Sequence, residues 1–251
     1  MKLSFTPAKQ QGFSLVETAI VLVILGLLIG GVLRGRELIN SARTRNIIDQ
    51  QRAIQVAFYG FQDRYSSLPG DLTTGQAKLI NASTSAACVT ASDDVGDGWV
   101  GLENSPVFFN NLAQAGFLTC VQCMATACTN AVNYTMTNQF GHYLWFTYPK
   151  PSTMPPNNGA GSYFLSTQAT EGSKPILSTG SFVDSLMLAE MDRKIDDGGP
   201  ASGQLRYGDF YTAGDSPSGA SIASCVVSGA SAAAYSWQVN PPGKCQGVSL
   251  F

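Results

Sequence analysis

Residues 13–33 (FSLVETAIVLVILGLLIGGVL) form an apolar run of twenty-one positions broken by a single charge, Glu17. As an α-helix rising about 1.5 Å per residue, the run is about 31 Å long, enough to cross the hydrocarbon layer of a bilayer. The twelve residues ahead of it (MKLSFTPAKQQG) are polar, with two lysines and no acid. A secretory signal peptide would need a shorter apolar core followed by a small-residue cleavage site. This run is too long, and the RGRELINSARTRN that follows offers no such site. A plain transmembrane anchor fits the length but leaves Glu17 unexplained, because a carboxylate inside an apolar span costs roughly 3 kcal/mol unless it is paired or close to an interface. Glu17 is only the fifth residue of the run, so by physics alone a position near the headgroups accounts for it equally well.

The junction itself separates these readings. The string Gly12-Phe13-Ser14-Leu15-Val16-Glu17, after a short basic leader and before an apolar helix, resembles the class III signal of type IV prepilins, the precursors of pilus subunits and of type II secretion pseudopilins. The resemblance covers residues 1 to about 65. It implies cleavage after Gly12, N-methylation of the new terminus at Phe13, and a prepilin peptidase that performs the cut. It further implies that Glu17 pairs with the Phe13 amine of a neighbouring subunit during assembly. The chemistry is coherent: the cut creates a cation four residues from an anion, and in a low dielectric such a pair is favourable only when both members are present.

One signal opposes this. Arg34, Arg36, Arg43 and Arg45 follow the span closely, and the positive-inside rule taken alone would put that side in the cytoplasm. The cysteine content and the prepilin signature both require export, and the reading follows them.

The helical pattern continues past residue 33. Ile39, Ala42, Ile47, Ile54, Phe58, Phe61 and Tyr65 recur mostly at three-, four- and seven-residue steps, with arginines and glutamines between them. This predicts an amphipathic second half whose apolar stripe packs on a sheet, ending near Tyr65 because Leu68-Pro69-Gly70 breaks helices. Gly26, Gly30 and Gly31 suit close helix-to-helix contact. By the resemblance, they also suit a segment that unwinds locally in a filament. The chain is therefore read as a leader at 1–12, a transmembrane or filament-core half-helix at 13–33, an amphipathic half-helix at 34–65 and a β-rich, disulfide-bonded head at 66–251.

In the head, short strand-like stretches fall at Gly141–Tyr148, Ser162–Ser166, Ser224–Ser228 and Ser236–Val239. Helical pieces are predicted at Pro106–Phe117 and Phe182–Arg193. The fold class is α+β, a long N-terminal helix packed on an antiparallel sheet, which is the layout of pilin heads. Residues 34–64 carry six arginines and three acids, whereas beyond residue 65 there are seven basic and thirteen acidic residues. Opposite signs on two parts of one subunit can guide packing between copies, or can simply be solvated faces. The pattern is unlike the basic stripe of a nucleic-acid binder, and no nucleic-acid partner is expected.

Six cysteines, Cys88, Cys120, Cys123, Cys128, Cys225 and Cys245, all lie beyond the span. Cys120-x2-Cys123, followed by Cys128 and the lone His142, has zinc-ligand spacing, but no second C-x2-C completes a standard module. Disulfides in an oxidising compartment are favoured, with fifteen pairings open. Cys225 with Cys245 is the best single pair, because both flank one C-terminal loop apart from the others. Closing that loop contributes about 3 kcal/mol by chain entropy, and the pairing resembles the C-terminal loop disulfide of many pilins. Cys88 then shares a cluster with Cys120, Cys123 and Cys128.

Catalytic chemistry has little support. There is one histidine, and no nucleophile elbow, phosphate-binding loop or dinucleotide fingerprint. Two acidic turns, Asp93-Asp94-Val95-Gly96-Asp97-Gly98 and Asp196-Asp197-Gly198-Gly199-Pro200, compare with calcium loops, although neither completes the twelve-residue pattern and Asp and Gly are ordinary turn formers. Some pseudopilins bind calcium in the head, so calcium is the one candidate ion; no other cofactor is expected.

The leading expectation is a minor or specialised pilin, since removing twelve residues from 251 leaves 239, more than many major pilins have. The alternatives are a type II secretion pseudopilin and, from another class, a membrane-anchored periplasmic binding protein. The resemblance implies homologous pilin subunits and an inner-membrane assembly platform as partners. It also implies a single-pass precursor in the inner membrane with a periplasmic head, later drawn into a periplasmic or extracellular filament.

Overall fold

A computed structural model describes residues 14–80, 96–124, 135–148, 174–208, 222–227 and 235–251. Helix α1 runs unbroken over Leu15–Tyr65, through Gly26, Gly30 and Gly31. The chain divides into two units, one ending at Ala42 and one spanning Arg43–Phe251. In the first unit, the large apolar side chains from Leu15 to Leu33 are between 48% and 89% exposed.

In the second unit, the closing turns of α1 are stitched into the head. Thr44, Ile47, Ile48, Gln51, Ile54, Ala57, Phe58 and Phe61 are buried, a stripe at three- and four-residue steps. The buried stripe begins at Thr44; Ile39 and Ala42, expected on it, are exposed. The helix stops at Tyr65, Ser66 and Gly70 taking positive φ just beyond. At Gly70 the φ of +92° suits glycine, and an added Cβ would meet Phe108 within 3.3 Å.

Helix α2 (Thr74–Leu79) starts on a capping box, Thr73 and Gln76 each bonding the other's backbone N–H. Helix α3 (Ser105–Gln114) has proline in its first turn and gives way at Gly116, whose φ is +79°. It is thus shorter than the expected Pro106–Phe117. Helix α4 (Ser185–Ile195) starts later than expected because Val183–Asp184 is a strand.

The main sheet is antiparallel, in the order β1-β2-β8-β4: Phe146–Thr147, Ile176–Ser178, Gly247–Leu250 and Leu205–Tyr207. Its register sets Phe146 opposite Leu177, Leu177 opposite Ser249, and Arg206 opposite Val248. Two ribbons accompany it among the described residues. Strand β3 (Val183–Asp184) pairs with β7 (Lys244–Cys245), and β5 (Val226–Val227) pairs with β6 (Ser236–Trp237). A single helical turn, α5 (Ile222–Cys225), stands where Ser224–Ser228 had read as strand; Val226–Val227 alone is extended there. Within Gly141–Tyr148, only Phe146–Thr147 is strand, with isolated bridges at Tyr143 and Tyr148. The predicted strand at Ser162–Ser166 lies outside the described residues.

Two apolar clusters cover opposite ends of the α1 stripe. One gathers Ile54, Phe58 and Phe61 with Phe108, Phe109, Leu112, Phe146 and Leu177. Phe108 stacks on Phe146 at 3.6 Å, while Phe58 meets Phe146 at 5.5 Å and Phe251 at 5.4 Å. The other gathers Ile47 and Ile48 with Met187, Leu188, Leu205, Tyr207 and Trp237. Polar clamps hold the same helix. Gln51 Nε2 donates to the Ser178 carbonyl at 2.9 Å, and Gln50 Nε2 donates to that of Thr137 at 2.9 Å. Gln139 Nε2 reaches back to the Arg43 carbonyl at 3.0 Å. Truncating Phe108 to Ala removes a fully buried ring and costs about 3–5 kcal/mol of head stability. Val56→Ala, on the exposed face of α1, changes it by less than about 0.5 kcal/mol. Urea unfolding midpoints of the two variants check the contrast.

Candidate functional site

Glu17 occupies the first turn of α1, and its side chain is exposed. An anion there is favourable, because the first amides of a helix lack intrahelical acceptors. Ser14 supplies one acceptor, its Oγ receiving the Val16 N–H at 3.4 Å, and Thr18 Oγ1 donates to the Leu15 carbonyl at 2.9 Å. The spacing Ser14-x-x-Glu17 is a capping-box pattern, a signal the prepilin string had concealed. Gly12 and Phe13 lie outside the described residues. Among the described residues, α1 is the one helix long and apolar enough to cross a membrane.

In the head, His142 is a packing residue whose ring stacks on Phe182 at 4.1 Å. Its loop is organised by the buried Asn138. The Nδ2 of Asn138 donates to the carbonyls of Thr179 and Ser181, and its Oδ1 accepts from the N–H groups of Phe140 and His142.

The two acidic turns resolve into different arrangements. Asp93, Asp94 and Val95 lie outside the described residues. The amides of Gly96, Asp97 and Gly98 all point at the carboxylate of Asp71, at 2.6, 3.3 and 2.7 Å. Backbone donors converging on an acid suit an anion, and Asp71 fills that place.

At the second turn, ligand oxygens of Asp192, Asp196 and Asp197 lie within 4.8 Å of one another. Each is engaged by a donor of the head itself. Asp197 accepts from Gly199 N–H at 2.9 Å and Ser202 Oγ at 2.6 Å, and Asp196 accepts from the N–H groups of Gln204 and Leu205. The fully buried Asp192 accepts Trp237 Nε1–H at 2.7 Å and Gly198 N–H at 3.2 Å. The cluster thereby ties the end of α4 to the turn before β4 and to β6. Sequence reasoning missed Asp192 and Trp237. The available signal was an acid one residue past Met191 and four past Leu188, on the apolar face of α4.

Four of the six cysteines are described, bonded as Cys120 with Cys123 and Cys225 with Cys245. The second bond joins the end of α5 to β7, their Cα atoms 5.8 Å apart. The first ties Cys120 to Cys123 of the 3-10 turn Gln122–Met124, and bonded to each other these two sulfurs are not thiolate ligands. Cys88 and Cys128 lie outside the described residues.

Burial pushes the Asp192 carboxyl up to about 6, against the opposing Trp237 hydrogen bond, with Asp197 and Asp196 adding repulsion. Its pKa is raised on folding, so between about 4 and 6 the folded state holds more protons than the unfolded chain. This group therefore adds stability as pH falls through that window. The stability of the wild-type head relative to Asp192→Asn is expected to rise between pH 7 and pH 4.5, read as the difference in melting temperature. A difference independent of pH removes this account of Asp192.

No curated protein and no solved structure matches the chain. Residues 7–33 match the family model of the prokaryotic N-terminal methylation motif, and the chain therefore carries the prepilin signal of type IV pilins and pseudopilins.

Proposed function

We propose that this chain is a minor or specialised structural subunit of a type IV pilus-like filament. On this reading it is made as a prepilin, cut after Gly12 by a prepilin peptidase and N-methylated at Phe13. The observation that carries the reading is the methylation motif at residues 7–33 laid over α1, whose apolar side chains are exposed along the span and whose first turn holds Glu17. Motif and apolar helix together fit anchoring in the inner membrane. Lipid covers the apolar surface in the precursor, and the helices of other subunits cover it after extraction. The head, with its disulfides, then belongs on the oxidising side of that membrane. An assembly platform in the inner membrane and homologous subunits are the partners this role requires.

The carboxylate of Glu17 and the new amine at Phe13 act as a matched pair between subunits. Each is costly alone in low dielectric, so a subunit seated out of register leaves two uncompensated charges. This account makes Glu17 a positioning group for assembly, and the head contributes the surface the filament presents. Calcium has no established place in this role. The carboxylates of Asp71, Asp192, Asp196 and Asp197 already close their turns with backbone and side-chain donors, and their proposed job is structural.

Glu17→Ala is expected to give a subunit that is cleaved and methylated normally, shown by the mass of its N-terminal peptide, but depleted at least tenfold from sheared filaments. Normal incorporation of that variant would sink the role given to Glu17. Copy number in wild-type filaments then separates the readings of the whole chain. A trace supports a minor pilin, abundance a major one, and absence from surface filaments with a secretion defect a pseudopilin.

A further inference from the structure

The Cys120-x2-Cys123 disulfide differs from Cys225–Cys245 in ways that bear on reactivity, independently of any filament role. It bridges two residues in an exposed turn, where Thr119, Val121, Gln122 and Met124 all face solvent and Val121 is 85% exposed. Cys120 keeps 8% of its surface open, whereas Cys123, Cys225 and Cys245 keep none. The Sγ of Cys120 accepts the Cys123 N–H at 3.2 Å, and a donor aimed at sulfur favours the thiolate over the thiol. The turn is also held without its disulfide. Asn110 Nδ2 donates to the Cys123 carbonyl at 2.6 Å, and Gln122 Nε2 donates to the Thr135 carbonyl at 2.7 Å. Opening the bond therefore leaves both cysteines near their present Cα separation of 5.3 Å. Both pairs lie in apolar clusters, Cys120–Cys123 in the first and Cys225–Cys245 in the second. Opening Cys225–Cys245 would also release the joint between α5 and β7, whereas Cys120 and Cys123 stay within one turn.

We propose that Cys120–Cys123 is a thiol–disulfide exchange site, which a dithiol partner can open and reclose while the head stays folded. A partner thiolate attacks the Sγ of Cys120. The bond to Cys123 breaks, and the Cys123 sulfur leaves as a thiolate that takes up a proton. The partner's second thiol, once deprotonated, attacks its own sulfur in the mixed disulfide and expels the Cys120 thiolate, which the Cys123 N–H receives. The partner dithiol is oxidised by two electrons and the subunit's disulfide is reduced by two. The reverse sequence closes the bond. Val121 and Met124, apolar and exposed on either side of Cys123, are the surface such a partner would meet.

The test uses the oxidised full chain in detergent, titrated with dithiothreitol, quenched with acid, alkylated and mapped by peptide mass spectrometry. Cys120 and Cys123 are expected to open at a dithiothreitol concentration at least tenfold below that needed for Cys225 and Cys245. Tryptophan fluorescence and the melting transition should stay native, and oxidised dithiothreitol should restore the bond. Earlier or simultaneous opening of Cys225–Cys245, or loss of the folded signal when Cys120–Cys123 opens, would overturn the proposal. Single variants give an independent reading. With Cys123→Ser, the remaining Cys120 should react with an aromatic disulfide reagent at least tenfold faster than the remaining Cys123 does in Cys120→Ser. Equal or reversed rates would overturn the assignment of Cys120 as the attacked sulfur.

Discussion

Apolar helix surface has to be covered by something other than water, and in α1 two different coverings meet on one continuous helix. From Leu15 to Leu33 the large side chains are exposed. From Thr44 to Phe61 a stripe of the same helix is sealed by aromatic and aliphatic side chains of the head. The first stretch creates the need for lipid or for other helices. The second gives the head a rigid edge on which to assemble. The prepilin signal overlaps the first stretch, and the head's architecture depends on the second.

Inside the head, buried polar groups decide the connections that hydrophobic contact leaves undecided. Gln51 donates into the main sheet, Asn138 ties its loop to the segment after β2, and Asp192 joins α4 to β6 through Trp237. Each such group is costly to bury alone and specific once paired. Strands of two to four residues offer little intrinsic stability, so these side-chain bonds and the Cys225–Cys245 bridge hold much of the register. The edge strand β4 is covered as well, since Tyr207 N–H donates to the Pro200 carbonyl at 2.8 Å. Placing the acidic turn over that edge limits pairing with foreign strands.

The two described disulfides divide the work. Cys225–Cys245 lies in the second apolar cluster and joins elements twenty residues apart. Cys120–Cys123 spans three residues beside an exposed turn, so it constrains little of the unfolded chain. The acidic residues divide in a similar way. Glu17 is exposed at a helix start, while Asp71 and Asp192 are consumed in closing turns.

Several features were legible from residues alone because their signals are local or periodic. The apolar run with its one acid, the helix ending at Tyr65 before Leu68-Pro69-Gly70, and the α+β layout needed no tertiary information. Other features were decided only by the fold. Ile176–Ser178, Leu205–Tyr207 and Gly247–Leu250 are too short to carry a period, and they are strands because β8 lies between β2 and β4. Val183–Asp184 is extended rather than helical because Lys244–Cys245 lies beside it. Asp192 and Trp237, forty-five residues apart, share a hydrogen bond that neither local sequence announces. Sequence by itself determined which stretch is long and apolar enough to cross a membrane and that the chain carries the prepilin signal, since hydropathy and a short motif are read in one dimension. Tertiary structure alone decided which acids are spent inside the head and which cysteines are bonded to each other, since burial and pairing depend on neighbours distant in the chain.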